Sequence, residues 1–117
     1  MKYGFLTLGD ITPDPVTDIT STAKQRLEEI LDAAMLTKSL GLDSYTVGEH
    51  HSTSWAVTSP PVVLAAIAMR TERIRLRTGV PLMPNLDPVP VAEDYATVDL
   101  LSGGRLEAEI AKRPSNV

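Results

Sequence analysis

Apolar and polar positions along the chain alternate between two rhythms, and the switches between them predict the elements. Residues 2–8 (KYGFLTL) form a short β-rich run that stops at Gly9-Asp10, and Pro13, Asp14, Pro15 and Asp18 then make a long loop. Thr22 with Gln25 three residues on is a capping box, after which Leu27, Ile30, Leu31, Ala34 and Met35 recur at helical spacing until Gly41. A second strand is expected at Ser44 to Val47, ending in Gly48-Glu49-His50-His51 and a polar loop through Ser54, Trp55 and Thr58. Ser59-Pro60 reads as an N-cap with proline at the first helical position, opening a second helix whose run from Val62 to Met69 is apolar nearly all round. Residues 74–80 (IRLRTGV) alternate large apolar and basic residues, as a third strand would. Asp87-Pro88 repeats the cap-plus-proline device, Val91, Tyr95 and Val98 mark a helical face, Gly103-Gly104 close that third helix, and residues 105–111 follow as a fourth strand.

The repeating unit is strand, loop, helix. Strands spaced roughly 30 to 40 residues apart leave room for the helical crossovers that join parallel strands. The fold class expected is therefore α/β, the first three and a half β-α units of a (β/α)8 TIM-type barrel. A closed barrel needs eight strands in about 250 residues. One chain of 117 residues should then form an incomplete barrel. An open four-stranded parallel sheet is the alternative, with two edges that need cover.

Composition narrows the partners. The chain is 43% hydrophobic and 22% charged, which suits a globular domain, and its net charge of −4 argues against a nucleic acid or an anionic membrane surface. The short basic cluster Arg70, Arg73, Arg75 and Arg77 is interrupted by Glu72 and reads as the solvated face of a strand. Cysteine is absent, so no disulfide or thiolate metal site arises. The amino-terminal apolar run is too short for a signal-peptide core, and no segment approaches the roughly 20 residues of a spanning helix, so a cytoplasmic protein is expected.

In parallel α/β architectures ligands bind beyond the carboxyl ends of the strands, where loops converge. The candidates there are Gly9-Asp10, Glu49-His50-His51 with Trp55, Thr78-Gly79-Val80 and Lys112-Arg113. A histidine with a pKa near 6.5 in that cleft moves a proton or donates a hydrogen bond at neutral pH; a histidine that merely bonds backbone groups uses the same donors. Glu49 reads as a structural anchor for backbone amides, and Trp55 as either a packing plug or a pocket wall. Glycine just past a strand, as at Gly79, points to a bulge or a close backbone approach. Neighbouring residues at a strand end diverge, so Glu49, His50 and His51 do not make a metal site. No P-loop, GxGxxG or GxSxG is present.

Val47-Gly48-Glu49-His50-His51, the stretch from Ser59 to Gly79, and Asp87-Pro88 through Tyr95 to Leu101-Ser102-Gly103-Gly104-Arg105-Leu106-Glu107, in this order and spacing, resemble the bacterial luciferase-like monooxygenase family. The resemblance implies a barrel holding reduced flavin mononucleotide (FMN), or in sister groups a deazaflavin coenzyme, that works with oxygen on a small organic substrate. His50 matches the family's active-site histidine beside the flavin ring, and Glu49 the glutamate next to it. Thr78, Gly79 and Val80 fall where the strand end backs the flavin, with a non-prolyl cis peptide at Gly79-Val80 in many members. Lys112 falls where some members place a basic residue near the flavin phosphate. The chain departs from the family where Glu109, Ala111 and Arg113 replace expected glycines; a carboxylate at Glu109 needs a partner there. Residues 1–111 are thus expected to be the amino-terminal part of such a barrel and 112–117 an atypical tail. A homo-oligomer, or a partner chain completing the sheet, is expected to cover the edges. The alternative is a truncated, non-catalytic fragment, or one that binds flavin without turnover.

Overall fold

Four strands and three helices alternate along the chain in the computed structural model, which describes residues 1–83 and 86–110. They are β1 (Gly4–Thr7), α1 (Ala23–Ser39), β2 (Ser44–Val47), α2 (Pro60–Ala68), β3 (Arg75–Thr78), α3 (Pro88–Ser102) and β4 (Leu106–Glu107). The strands pair in parallel in the order β1-β2-β3-β4, the arrangement of consecutive barrel units.

Side chains alternate across a strand, and the register shows what each face does. Phe5, Tyr45, Leu76 and Leu106 fall in one cross-strand row, and Thr7, Val47 and Thr78 in another. Tyr45, Val47 and Leu76 from these rows join Ile30 and Ala34 of α1, Leu64 and Ile67 of α2, and Tyr95 and Val98 of α3 in the core. The intervening row, Leu6, Thr46, Arg77 and Glu107, faces the other way. All three helices contact the sheet, so the inner face stays open, as the concave wall of a barrel does.

Local chemistry explains the helix ends. Thr22 and Gln25 form both halves of the capping box, as the sequence predicts. Gly41 adopts φ 70°, and the amides of Gly41 and Leu42 donate to the carbonyls of Lys38 and Thr37, a Schellman closure that only a left-handed residue permits. Asp87 accepts from the Val89 amide at 3.0 Å. Ser59 occupies the N-cap with prolines in the first turn, as expected, but its hydroxyl makes no capping bond. Pro60 and Pro61 bring no N–H to the first two helical positions, so of the two amides a cap side chain usually serves only that of Val62 remains.

The strands are shorter than their apolar runs. β1 covers four residues and β4 two, while the runs extended over 2–8 and 105–111, the last residue of which lies outside the described part. Arg75 and Arg77 do lie on the open face, but paired: Arg75 Nε and Arg77 Nε are each 3.2 Å from a Glu107 carboxylate oxygen, and Arg77 also pairs with Glu109. No described helix is long and apolar enough to cross a membrane.

Candidate functional site at the carboxyl ends of the strands

The loops after β1 and β2 are zipped together. The Ile11 amide donates to the Ser54 carbonyl at 2.8 Å, Ala56 to Gly9 at 2.7 Å, and Asp10 and Trp55 form an antiparallel bridge. The His50 amide closes its own loop onto the Val57 carbonyl at 3.1 Å. Gly9 sits at φ +73° with its would-be Cβ 2.7 Å from Val57 Cγ2, so both its backbone angle and its neighbour demand glycine. Arg26 of α1 braces the first loop from below, its Nε donating to the Asp10 carbonyl at 2.8 Å and its guanidinium lying 3.5 Å from the Asp10 carboxylate.

That clamp separates two neighbouring histidines by chemistry. The Glu49 carboxylate is buried at 4% exposure; one oxygen lies 2.6 Å from His51 Nε2 and the other accepts from the Leu82 amide at 3.1 Å. Glu49 therefore ties the end of β2 to the segment following β3, the anchor role anticipated from the sequence. His50 is held differently. Its imidazole stacks on the Trp55 indole, centroids 4.0 Å apart and planes 21° from parallel. Among the described residues neither His50 ring nitrogen has a hydrogen-bond partner, so the ring is gripped by its face and free at its edge. Tyr95 of α3 senses the same carboxylate: burial, then the charges of Glu49 and Asp94, push its phenol up to about 12.

The β3 end supplies a wall. Thr78 is buried, and its hydroxyl accepts from the Glu109 amide at 2.8 Å and donates to the Glu109 carbonyl at 3.0 Å, joining β3 laterally to the chain beyond β4. The Gly79–Val80 peptide is cis, as the resemblance implies. A Cβ on Gly79 would lie 2.8 Å from Thr46 Cγ2 and 3.1 Å from Leu6 Cδ1, so the backbone here is necessarily bare on the inner face. Glu109 has the partner its charge needs in Arg77. Lys112, Ala111 and Arg113 lie outside the described residues.

A cavity of about 850 Å³ lies elsewhere, on the open inner face toward the amino ends, among Ser44, Thr46, Arg75, Arg77 and Glu107. Its volume reflects an uncovered sheet face. The carboxyl-end cluster is the better candidate, because there side chains from separate loops converge and the His50 ring nitrogens have no partner among the described residues. Among the described residues no three His, Cys, Asp or Glu side chains group as a metal would require. Arg26 was missed in the sequence as a brace. Its only signal is a long cation on the first turns of a helix beside a loop carbonyl, which many surface arginines share.

The arrangement gathers an imidazole stacked on an indole, a buried carboxylate and a glycine that no side chain could replace at the ends of β2 and β3. The chain belongs to the luciferase-like monooxygenase family, whose model matches residues 1–117. Its relatives agree. It is 30% identical, over 78% of its length and 26% of the relative's, to the oxygenase component of flavin-dependent trigonelline monooxygenase from Acinetobacter baylyi. It is 42% identical to 4-hydroxyprotoasukamycin monooxygenase from Streptomyces nodosus over 64% of this chain and 20% of that one. Among solved structures, monooxygenase RslO1 from Streptomyces bottropensis superposes with a TM-score of 0.79 at 33% identity, covering 94% of this chain and 32% of that one. The chain thus spans about a third or less of the length of these relatives.

Proposed function

We propose that this chain forms the histidine-bearing part of a flavin-dependent oxygenase site, acting with oxygen on a small organic substrate. The single observation that carries the reading is His50: stacked by its face on Trp55 in the loop after β2, with neither ring nitrogen hydrogen-bonded among the described residues. The residues fit the ring of FMN or a deazaflavin. Gly79 and Val80 would back it, Thr78 and Glu49 would hold that wall in place through Glu109 and Leu82, and Lys112 would meet the phosphate. Reduced flavin, when bound, supplies the electrons that activate oxygen. His50 then holds or moves a proton at its free ring nitrogen, work that typically contributes about 100- to 10,000-fold.

The test is a titration of the protein with FMN, and separately with a deazaflavin, followed by oxygen uptake with reduced cofactor. Saturable change in the flavin spectrum and uptake that collapses in His50→Ala support the reading. Unchanged spectra at millimolar flavin overturn it.

A second reading, association through the sheet, has its own observation. β1 lies at one edge with Phe5 49% and Leu6 60% exposed, and paired strands remove such edges. Light scattering showing a monomer at every concentration would exclude self-association.

A further inference from the structure

We propose that Trp55 is a positioning residue for His50: its indole fixes the plane of the imidazole and leaves the reactive edge open, and the paired loops after β1 and β2 exist to hold it there. The inference rests on the reading of His50 given above and extends it to a residue for which two fates, plug or pocket wall, were open.

Three observations favour positioning over both. First, a plug packs its ring into the apolar core, yet Trp55 keeps part of its surface exposed and lies outside the core cluster. Its described ring partner is the His50 imidazole, at stacking distance and nearly parallel. Second, the indole's backbone is fixed independently of the ring. The bridge to Asp10, the Ser54 and Ala56 bonds to the β1 loop, the Trp55 amide bond to the Ser52 carbonyl at 3.2 Å and the Arg26 brace leave the loop little freedom. A ring used as a rigid platform needs such a base. Third, the neighbouring His51 is held by an edge bond to Glu49, which engages a nitrogen that chemistry would otherwise use. Stacking is the way to restrain an imidazole without engaging either nitrogen, and it is applied to His50 alone of the two.

Trp55 is the chain's single tryptophan, so its emission reports the stack directly. An imidazole in contact with an indole quenches it, most strongly when protonated. The experiment compares tryptophan emission at pH 5.5 in the full chain with that in His50→Ala and His51→Ala, then oxygen uptake with FMN in Trp55→Ala and Trp55→Phe. Brightening in His50→Ala but not in His51→Ala is expected; equal emission in all three overturns the stack. Trp55→Ala should lower kcat at least about tenfold, the scale of a misplaced catalytic group, with FMN affinity within about twofold. Trp55→Phe, which keeps a stacking ring, should recover most of that loss. If Trp55→Ala weakens FMN binding more than about tenfold and leaves kcat intact, Trp55 is a pocket wall and the proposal fails. If Trp55→Phe is as impaired as Trp55→Ala, ring stacking is not the cause and it fails again. If His50→Ala itself leaves uptake unchanged, the reading of His50 fails instead, whatever the emission shows.

Discussion

Two polar corners of the sheet, one at each end, treat a buried charge and a histidine in opposite ways. At the amino end, Arg105 precedes β4 with 8% of its surface exposed and every guanidinium nitrogen engaged. Nε donates to the Ser102 carbonyl, Nη1 to Thr71 Oγ1 and the Ile74 carbonyl, and Nη2 to the carbonyls of Ala68 and Thr71, at 2.7 to 3.2 Å. It thereby satisfies carbonyls at the end of α2, where the helix dipole favours a cation. Burial draws its pKa below the usual arginine value, and the Glu72 charge opposes that. At the carboxyl end, the His50 ring is restrained by stacking on Trp55, and neither ring nitrogen has a hydrogen-bond partner among the described residues. The contrast teaches how to separate structure from chemistry among polar groups: a saturated donor set stabilises, and a restrained but unsaturated one is available to react. Barrel folds place stability at the amino face and chemistry at the carboxyl face for the same reason.

The largest expected effect lies at the saturated corner. Arg105→Met strands several buried carbonyls and should cost about 3 to 5 kcal/mol of stability, read from the urea midpoint. A loss under about 1 kcal/mol would show that water replaces the guanidinium and would dissolve the contrast. At the other corner His50→Ala should leave the urea midpoint within about 0.5 kcal/mol while abolishing flavin-dependent oxygen uptake, whereas His51→Ala should reduce uptake less, through the loosened Glu49 tie. A reversed order of the two histidines would exchange their roles.

A smaller effect links the corners through α3. The Tyr95 phenol is an acid whose folded pKa, about 12, exceeds the unfolded value near 10. The folded state therefore holds the proton more tightly, so this contribution to stability is complete below pH 10 and is lost as pH rises toward 12. Denaturation midpoints that fall across that window in the wild-type chain and fall less in Tyr95→Phe are expected; identical slopes would remove Tyr95 from the account. Smallest of all, Thr22→Ala should cost about 1 kcal/mol by opening the capping box, away from both corners.

Much of the fold was legible. The capping box at Thr22 and Gln25, the Gly41 stop and the Asp87-Pro88 start are local devices, set by the hydrogen bonds of residues within one turn, and each is found where the pattern predicts it. Ser59 stands at the N-cap as the Ser-Pro pattern predicts, but without a side-chain bond, since Pro61 removes one of the two amides such a cap would serve. The Glu49-His50-His51 cluster could be placed at a strand end from the sequence. Which histidine is engaged could not, since both carry the same donors and only the paths of two loops distant in sequence decide it. Arg105 is the clearest omission. Its partners lie on Ala68, Thr71, Ile74 and Ser102, and the three on the α2 side are more than 30 positions away.

By itself the sequence determined the alternation of strand and helix, the parallel sheet that follows from it, the family, and the short list of side chains at the strand ends. These rest on periodicity and on bonds between near neighbours, which survive without knowledge of the rest of the chain. Only the tertiary structure decided that Glu49 bonds His51 and the Leu82 amide, that Trp55 lies against His50, and that Arg105 saturates the far corner. Each of these depends on crossovers that bring segments together across the sheet. The histidine pair met first as a doublet in a strand-end motif is thus resolved into one anchored ring and one presented ring, a distinction that belongs to the fold.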